Sequence, residues 1–312
     1  MGLDNQILQK SKDKKDDEFY TLIGDIEAEL QYYDFTDKHV LLPCDCPTFS
    51  EFFRYFYERF QELGLRRLTA VYFEDTETST RTEVTLNEHG NTEVKQYPMS
   101  GNGDFRNEET KQLMRECDVV VTNPPFSLFR TFFAQLTSVG AKFITVCTHN
   151  VITYKDVFPY VRDRKVWAGH NYRNMKFMRP HGGVEKRGDC MWLTNYGEPF
   201  AREPLELKCT YSPEKYPEYD NFKAIEVKCF RDIPKDYYGV MGVPVTYAAY
   251  YSPEQFILLG TSTTWDNHPN TLALLKDGER LQDVILNGKH LFKRLFIKRT
   301  NKKQVQKLVL LC

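Results

Sequence analysis

The amino-acid sequence predicts an α/β fold: a doubly wound parallel sheet through about residue 150, then a basic, mixed α/β region. Three observations predict it. Short apolar runs alternate with stretches of helical periodicity through the first half. From about Val151 the chain is richer in Tyr, Pro and basic residues, and its strand-like pieces are short. The formal net charge of –1 conceals a split: residues 1–160 hold 17 Lys/Arg against 26 Asp/Glu, and residues 161–312 hold 25 against 17. Two regions follow, 1–150 and 151–312. No low-complexity linker separates them, so they are expected to pack closely.

Each element has a local reason. Residues 1–14 are polar and charged and are expected to be flexible. "HVLLPCD" (39–45) reads as a buried strand. "PTFSEFFRYFYERFQELG" follows, with Phe49, Phe52, Phe53, Phe56, Phe60 and Leu63 at helical spacing, Thr48 to Glu51 as a capping box and Gly64 as the stop. "RLTAVYFED" is the next strand. "RTEVTLNEHGNTEVKQY" alternates about a turn-rich centre and reads as a hairpin inserted into the α/β pattern. "NEETKQLMREC" is helical, "DVVVTN" a strand, "SLFRTFFAQLTSVG" a helix capped by Ser127, and "KFITVCT" a strand. Beyond residue 150 the strand-like pieces are "KCTYS", "FKAIEVK", "VPVTYAAY" and "HLFKRLFIK", and Trp192 is expected in the core.

Composition narrows the class. Hydrophobic residues make up 41% and charged residues 27%, as in a soluble globular protein. No run approaches the roughly 18 apolar residues of a membrane span, and the N-terminus lacks a signal-peptide core, so a cytoplasmic protein is expected. The eight cysteines form no Cys-x-x-Cys pair and no His cluster joins them, so no metal site is expected. Val161–Arg187 carries eight basic residues, Arg162, Arg164, Lys165, Arg173, Lys176, Arg179, Lys186 and Arg187, against Asp163 and Glu185. Such clusters bind polyanions by releasing phosphate counterions.

The chemistry concentrates in "DVVVTNPPFSLF". Two adjacent prolines donate no backbone hydrogen bonds and fix φ near –65°, so the sheet must stop there. Ligands of open parallel sheets bind beyond the carboxyl ends of the strands, and this loop occupies such an end. Asn123 offers a side-chain carbonyl, Pro124 a backbone carbonyl in fixed orientation, and Phe126 a flat apolar face; Pro125 stiffens the bend. Two acceptors beside a stacking ring suit a planar amine. Accepting both N–H bonds localises the nitrogen lone pair and makes it a better nucleophile toward an electrophilic methyl group. Asn/Asp-Pro-Pro-Phe/Tyr is the signature of amino-group methyltransferases. Upstream, Asp45 follows the first strand, Glu74 ends the second where an acid accepts from ribose hydroxyls, and "GNGDFRN" offers Asp104 and Phe105 as a carboxylate and a ring for an adenine. In this order they favour S-adenosylmethionine as cofactor. The usual glycine-rich turn after the first strand is replaced by "PCDCPTF".

Six segments in order, "KDDEFYT", "PCDCPTFSEFFRYF", "CDVVVTNPPFSLFR", "GDCMWLTNY", "GVMGVPVTY" with "YSPEQFILLG", and "NGKHLFKRLFIK", resemble the EcoRI-type adenine-specific DNA methyltransferases, from about Lys15 to Lys298. The resemblance implies a Rossmann-like, S-adenosylmethionine-dependent methyltransferase sheet and methylation of the 6-amino group of a flipped adenine in a short duplex DNA sequence. It implies Asn123, Pro124, Pro125 and Phe126 as the catalytic loop. Asp17, Glu18, Phe19, Tyr20 and Thr21 match a segment that helps close over the cofactor, and Asp45, Glu74, Asp104 and Phe105 line its pocket. The basic region after residue 150 becomes the target-recognition region, with Trp192 and most tyrosines structural and the tail "IKRTNKKQVQKLVLLC" a further candidate for phosphate. Expected partners are double-stranded DNA and, where the chain serves restriction-modification rather than orphan or phage-type modification, a cognate restriction endonuclease acting on the same site, with no membrane; the chain is expected as a monomer or weak dimer. Two other readings stay open on the residues alone: an RNA base or protein glutamine as the methylated group, and a catalytically inactive DNA-binding protein.

Overall fold

The structure is a computed structural model that describes residues 20–300, except 75, 173–174, 180–181, 200–201, 264–268 and 280–281. The leader, Asp17, Glu18, Phe19, Arg173 and the tail beyond residue 300 lie outside the described residues. The chain forms two compact units. One runs to Thr148 and resumes over Trp167–Glu198; the other takes His149–Val166 and the chain from Pro199. A single cut at residue 150 therefore does not describe the molecule. Trp167–Glu198 returns to the first unit because its strands complete the sheets there.

In the first unit the chain forms β1 (Tyr20–Thr21), α1 (Ile23–Leu30), β2 (His39–Leu42), α2 (Glu51–Glu58), β3 (Arg67–Ala70), β4 (Thr80–Leu86), β5 (Thr92–Pro98), α3 (Glu108–Glu116), β6 (Val119–Thr122), α4 (Phe129–Ser138) and β7 (Phe143–Thr148). It resumes with β8 (Trp167–Ala168), β9 (Met175–Met178), β10 (Val184–Arg187) and β11 (Cys190–Thr194). Eight strands lie in the order β5-β4-β3-β2-β6-β7-β11-β8. The central four, β3-β2-β6-β7, are parallel, and antiparallel strands extend both edges.

Burial explains the centre. Every side chain of "HVLL" and of "VVVT" is buried, as strands covered on both faces require. Four of the eight residues of α2 (Phe52, Phe53, Tyr55 and Phe56) are buried, and α4 buries Phe129, Phe132, Phe133 and Leu136, spaced i, i+3, i+4, i+7. Trp192 is fully buried on β11. At the lower end of the sheet, Asp118 Oδ2 accepts from the His39 N–H at 2.7 Å and from Arg66 Nη2 at 2.7 Å, tying three strand starts together. The inserted hairpin is present in full register from Thr80 opposite Pro98 to Leu86 opposite Thr92. Its turn is set by Asn87, whose side chain accepts from the N–H groups of His89 and Asn91.

Two expected helix starts are corrected. Ser50, not Thr48, caps α2: its hydroxyl accepts from the Phe53 N–H at 3.2 Å, while Thr48 Oγ1 lies 3.0 Å from Cys46 Sγ. Phe49 thus precedes the helix and is 58% exposed rather than buried on its face. Ser127 does not cap α4 either. Residues Phe126–Leu128 form a 3-10 turn closed by the Leu128 N–H on the Pro125 carbonyl at 2.9 Å, which spends the first turn on shaping the loop.

The second unit contains α5 (Phe158–Arg162) and the strands β12 (Ile225–Glu226), β13 (Met241–Pro244), β14 (Phe256–Thr261), β15 (Ile285–Leu286), β16 (Lys289–His290) and β17 (Arg294–Arg299). Its main sheet is ordered β12-β13-β17-β14, over a core of Tyr219, Phe222, Val284 and Phe296. "VPVTYAAY" keeps its strand only to Pro244; Val245–Tyr250 is 3-10, and "KCTYS" contributes one bridge, at Cys209. Inside the sheet, Glu226 accepts from Arg294 at 2.8 and 3.0 Å and from the Tyr219 hydroxyl. These bonds satisfy an otherwise costly buried charge.

Candidate active site

The parallel strands run in sequence from β2 outward to β3, and the chain then returns to place β6 on the other side of β2. This is a topological switch point, where open α/β sheets hold their ligands. Asp45, beyond β2, and Asn123, directly after β6, stand on its two sides.

A buried chain of hydroxyls joins them. Thr122, the last residue of β6, donates to Asp45 Oδ2 at 2.6 Å, and Ser50 donates to Asp45 Oδ1 at 2.7 Å. Thr145 on β7 donates to the Thr122 carbonyl at 3.1 Å. Burial pushes the Asp45 carboxyl up to about 6 against the opposing pull of its two hydroxyl donors. The Ser50 hydroxyl that caps α2 accepts from the Phe53 N–H and donates to Asp45. The carboxylate fixes both strand ends, and its remaining lone pairs are what it offers a ligand.

The loop itself is stiff. Pro124 is buried, Pro125 sits at φ –53° and ψ 123°, and the 3-10 turn follows at once. The Asn123 side-chain oxygen is shielded from solvent. The Phe126 ring meets Phe177 edge-on, centroids 6.2 Å apart, and the Arg187 guanidinium carbon lies 5.5 Å from its centroid.

Three further loops interlock around the same end of the sheet. The Asp45 N–H bonds the Val71 carbonyl at 3.0 Å, the Glu74 N–H bonds the Asn102 carbonyl at 2.9 Å, and the Ser79 N–H bonds the Gly101 carbonyl at 2.9 Å. Gly103 has φ +76°, and a Cβ there would lie 2.0 Å from the Tyr72 carbonyl oxygen, so only glycine lets the two loops approach. The strand before Glu74 ends at Ala70, four residues earlier than the acid. Tyr72 donates its hydroxyl to Glu74 Oε1 at 2.5 Å. Asp104 accepts from the Arg106 N–H at 2.8 Å and from its guanidinium. Burial raises its carboxyl, but these bonds outweigh burial and hold it below the ordinary carboxylate value. The Phe105 ring is buried. It is 5% exposed and packs edge-on to Phe132 at 5.2 Å, within the core. Phe73, hidden in the sequence within a strand-like run, is the exposed ring here, at 56%.

Tyr20 and Thr21 are held by β1 pairing with β9, Thr21 opposite Phe177, and the Tyr20 ring lies 5.4 Å from Phe49. The sheet β1-β9-β10 thus brings the N-terminal segment beside the loop through Phe177. The basic stretch is divided. Arg162, Arg164 and Lys165 belong to the second unit, while Lys176, Arg179, Lys186 and Arg187 ride the β9–β10 hairpin of the first. Lys176 and Lys186 are directly opposite and both exposed, and the Asp25 carboxylate accepts from the Lys176 N–H at 2.6 Å. Arg179 is engaged by Glu185 at 2.7 Å and Arg162 by Asp163 at 2.9 Å. Burial pushes the Cys117 and Cys190 thiols up to about 12, which leaves no thiolate there at neutral pH. No helix among the described residues is long and apolar enough to cross a membrane.

A family model described as adenine-specific methyltransferase EcoRI matches residues 7–300. The chain is 39% identical to the type II methyltransferase M.EcoRI of Escherichia coli, over 94% of this chain and 96% of that protein. It is 31% identical to the type II methyltransferase M.MgeORF184P of Mycoplasma genitalium, over 93% and 98%, and 33% identical to M.MpnI of Mycoplasma pneumoniae, over 80% and 84%. No solved structure matches it.

Proposed function

The chain belongs to the EcoRI family of adenine-specific methyltransferases, and from that premise we propose that it moves a methyl group from S-adenosylmethionine to the 6-amino group of an adenine flipped out of a short duplex DNA sequence. The observation that carries this reading is Asn123-Pro124-Pro125-Phe126 at the end of β6, across the switch point from Asp45 and tied to it through Thr122.

The residues fit the cofactor. Carboxylates at Glu74 and Asp104 accept from ribose hydroxyls or an amine, Tyr72 orients Glu74, and the exposed Phe73 ring suits a purine face. When bound, S-adenosylmethionine supplies an electrophilic methyl group. The protein's own part is to hold the acceptor. Asn123 Oδ1 and the Pro124 carbonyl accept the two N–H bonds of the amine, so the nitrogen lone pair stays on nitrogen. Phe126 stacks on the extruded base, and the buried Asp45–Thr122–Thr145 chain keeps the loop from yielding. Attack by the held nitrogen on that methyl carbon would break the carbon–sulfur bond, leaving the cofactor as a neutral thioether, and the nitrogen would shed one N–H proton to water. No cysteine takes part.

Double-stranded DNA is the partner, with Lys176 and Lys186 gripping phosphate, and Arg162, Arg164 and Lys165 as further candidates. A cognate endonuclease acting on the same sequence, a monomeric or weakly dimeric state and a cytoplasmic setting complete the proposal. Methyl-labelled cofactor offered with DNA, RNA and protein tests the substrate class; label confined to RNA or protein would overturn the DNA reading. Methylation-sensitive sequencing of DNA from expressing cells then maps the site. Asn123→Ala is expected to lower the rate at least about a hundredfold with the thermal unfolding midpoint unchanged; a fully active variant would contradict the loop's role.

A further inference from the structure

We propose that Arg187 is a positioning residue that braces the Phe126 ring for the extruded adenine, and not one of the phosphate contacts that its place in the basic stretch suggests. The proposal rests on the reading of Phe126 as the stacking surface.

The first argument is the face of the hairpin. Directly opposite residues of antiparallel strands share a face, and successive residues alternate. Arg187 lies opposite Met175, and Glu185 opposite Phe177. Met175 and Phe177 are buried, whereas Lys176 and Met178 are exposed. Arg187 therefore points to the inner face with Phe177, and Lys186, opposite Lys176, points outward. The two lysines share the exposed face of the hairpin. Arg187 takes the opposite one, and its side chain is only 21% exposed.

The second argument is what holds it there. Arg187 Nε donates to Asp189 Oδ1 at 3.1 Å and Nη2 to Asp189 Oδ2 at 2.8 Å, a two-pronged bond that fixes the plane of the guanidinium. Its central carbon lies 5.5 Å from the Phe126 centroid, within the range where a cation is attracted to a ring. Phe177 supports the same ring edge-on at 86°. One neighbour fixes the ring's edge and the other its tilt. A purine stacks well only on a ring whose plane is already set, so the brace acts on extrusion and turnover rather than on DNA affinity.

The test uses the full chain and three variants, Arg187→Met, Arg187→Lys and Asp189→Asn. Turnover is measured with methyl-labelled cofactor on unmethylated plasmid DNA. Base extrusion is read from the fluorescence of 2-aminopurine placed at the mapped target adenine, and phosphate contacts from the salt dependence of duplex binding. All three variants are expected to lower turnover and the fluorescence rise by about tenfold, within the span of cation–ring energies. The slope of binding against salt stays at the parental value. Lysine does not rescue, because it cannot make the two-pronged bond to Asp189. In a Phe126→Leu background the Arg187 variants add nothing further. A salt slope lowered by about one, with Arg187→Lys near the parental rate, would identify a phosphate contact and overturn the proposal. So would effects that add in full to those of Phe126→Leu. If Arg187→Met fails to fold, Arg187→Lys and Asp189→Asn decide by the same criteria. Parental methylation by Phe126→Leu would instead overturn the reading of the loop itself.

Discussion

At Asp45, burial and hydrogen bonding pull the carboxyl in opposite directions, and burial wins. Its folded value of about 6 lies above the ordinary 3.8, so the folded state holds the proton more tightly than the unfolded one. Asp45 thus favours folding in full below pH 3.8, and that contribution is lost as the pH rises through about 6. Above this window the ionised group costs the fold up to about 3 kcal/mol. Asp45→Asn removes the titration, so the variant is expected to gain stability relative to the parent as pH rises from about 4 to 7. Urea midpoints at the two pH values measure it; a constant difference would contradict the assignment. The identity of the candidate residues was legible in the sequence, since Asn123 and Asp45 follow apolar runs and strand ends carry ligands. Their coupling through Thr122 was not, because it joins residues 77 positions apart.

Between the elements, the loops at the carboxyl edge depend on close backbone approach. Gly103 is where that is tightest: a Cβ would overlap the Tyr72 carbonyl, and the backbone is left-handed. Gly103→Ala is expected to destabilise the fold by about 3 kcal/mol or more, read from the urea midpoint, and to weaken cofactor binding in calorimetry. An unchanged midpoint would show that the loops are not locked. The strands, the hairpin and the two aromatic helices followed from periodicity. Helix starts did not, since the Thr48–Glu51 pattern fits a capping box while the Ser50 hydroxyl is the one that accepts from the Phe53 N–H. The strand expected through residue 75 ends at Ala70, which leaves Phe73 exposed beyond it, while Phe105 is buried.

Across the whole molecule, the charge split survives while its simplest reading does not. The basic stretch serves two units, and within the first unit alternation along one hairpin sends its lysines outward and Arg187 inward. Replacing Lys176 and Lys186 together with glutamine is expected to reduce the salt slope of duplex binding by about two while sparing turnover at saturating DNA. An unchanged slope in binding titrations would remove the hairpin from the DNA contact. The sequence by itself determined the α/β class, the Asn-Pro-Pro-Phe loop, the order of the candidate donor-site residues before that loop and the family resemblance, because each is written in local pattern. Only the tertiary structure decided that Trp167–Glu198 completes the first unit, that Asp45 is held by Thr122 and Ser50, and that Arg187 stands over Phe126. Strand pairing and side-chain facing are long-range choices, fixed by which surfaces can be buried together, and no local window of residues contains them.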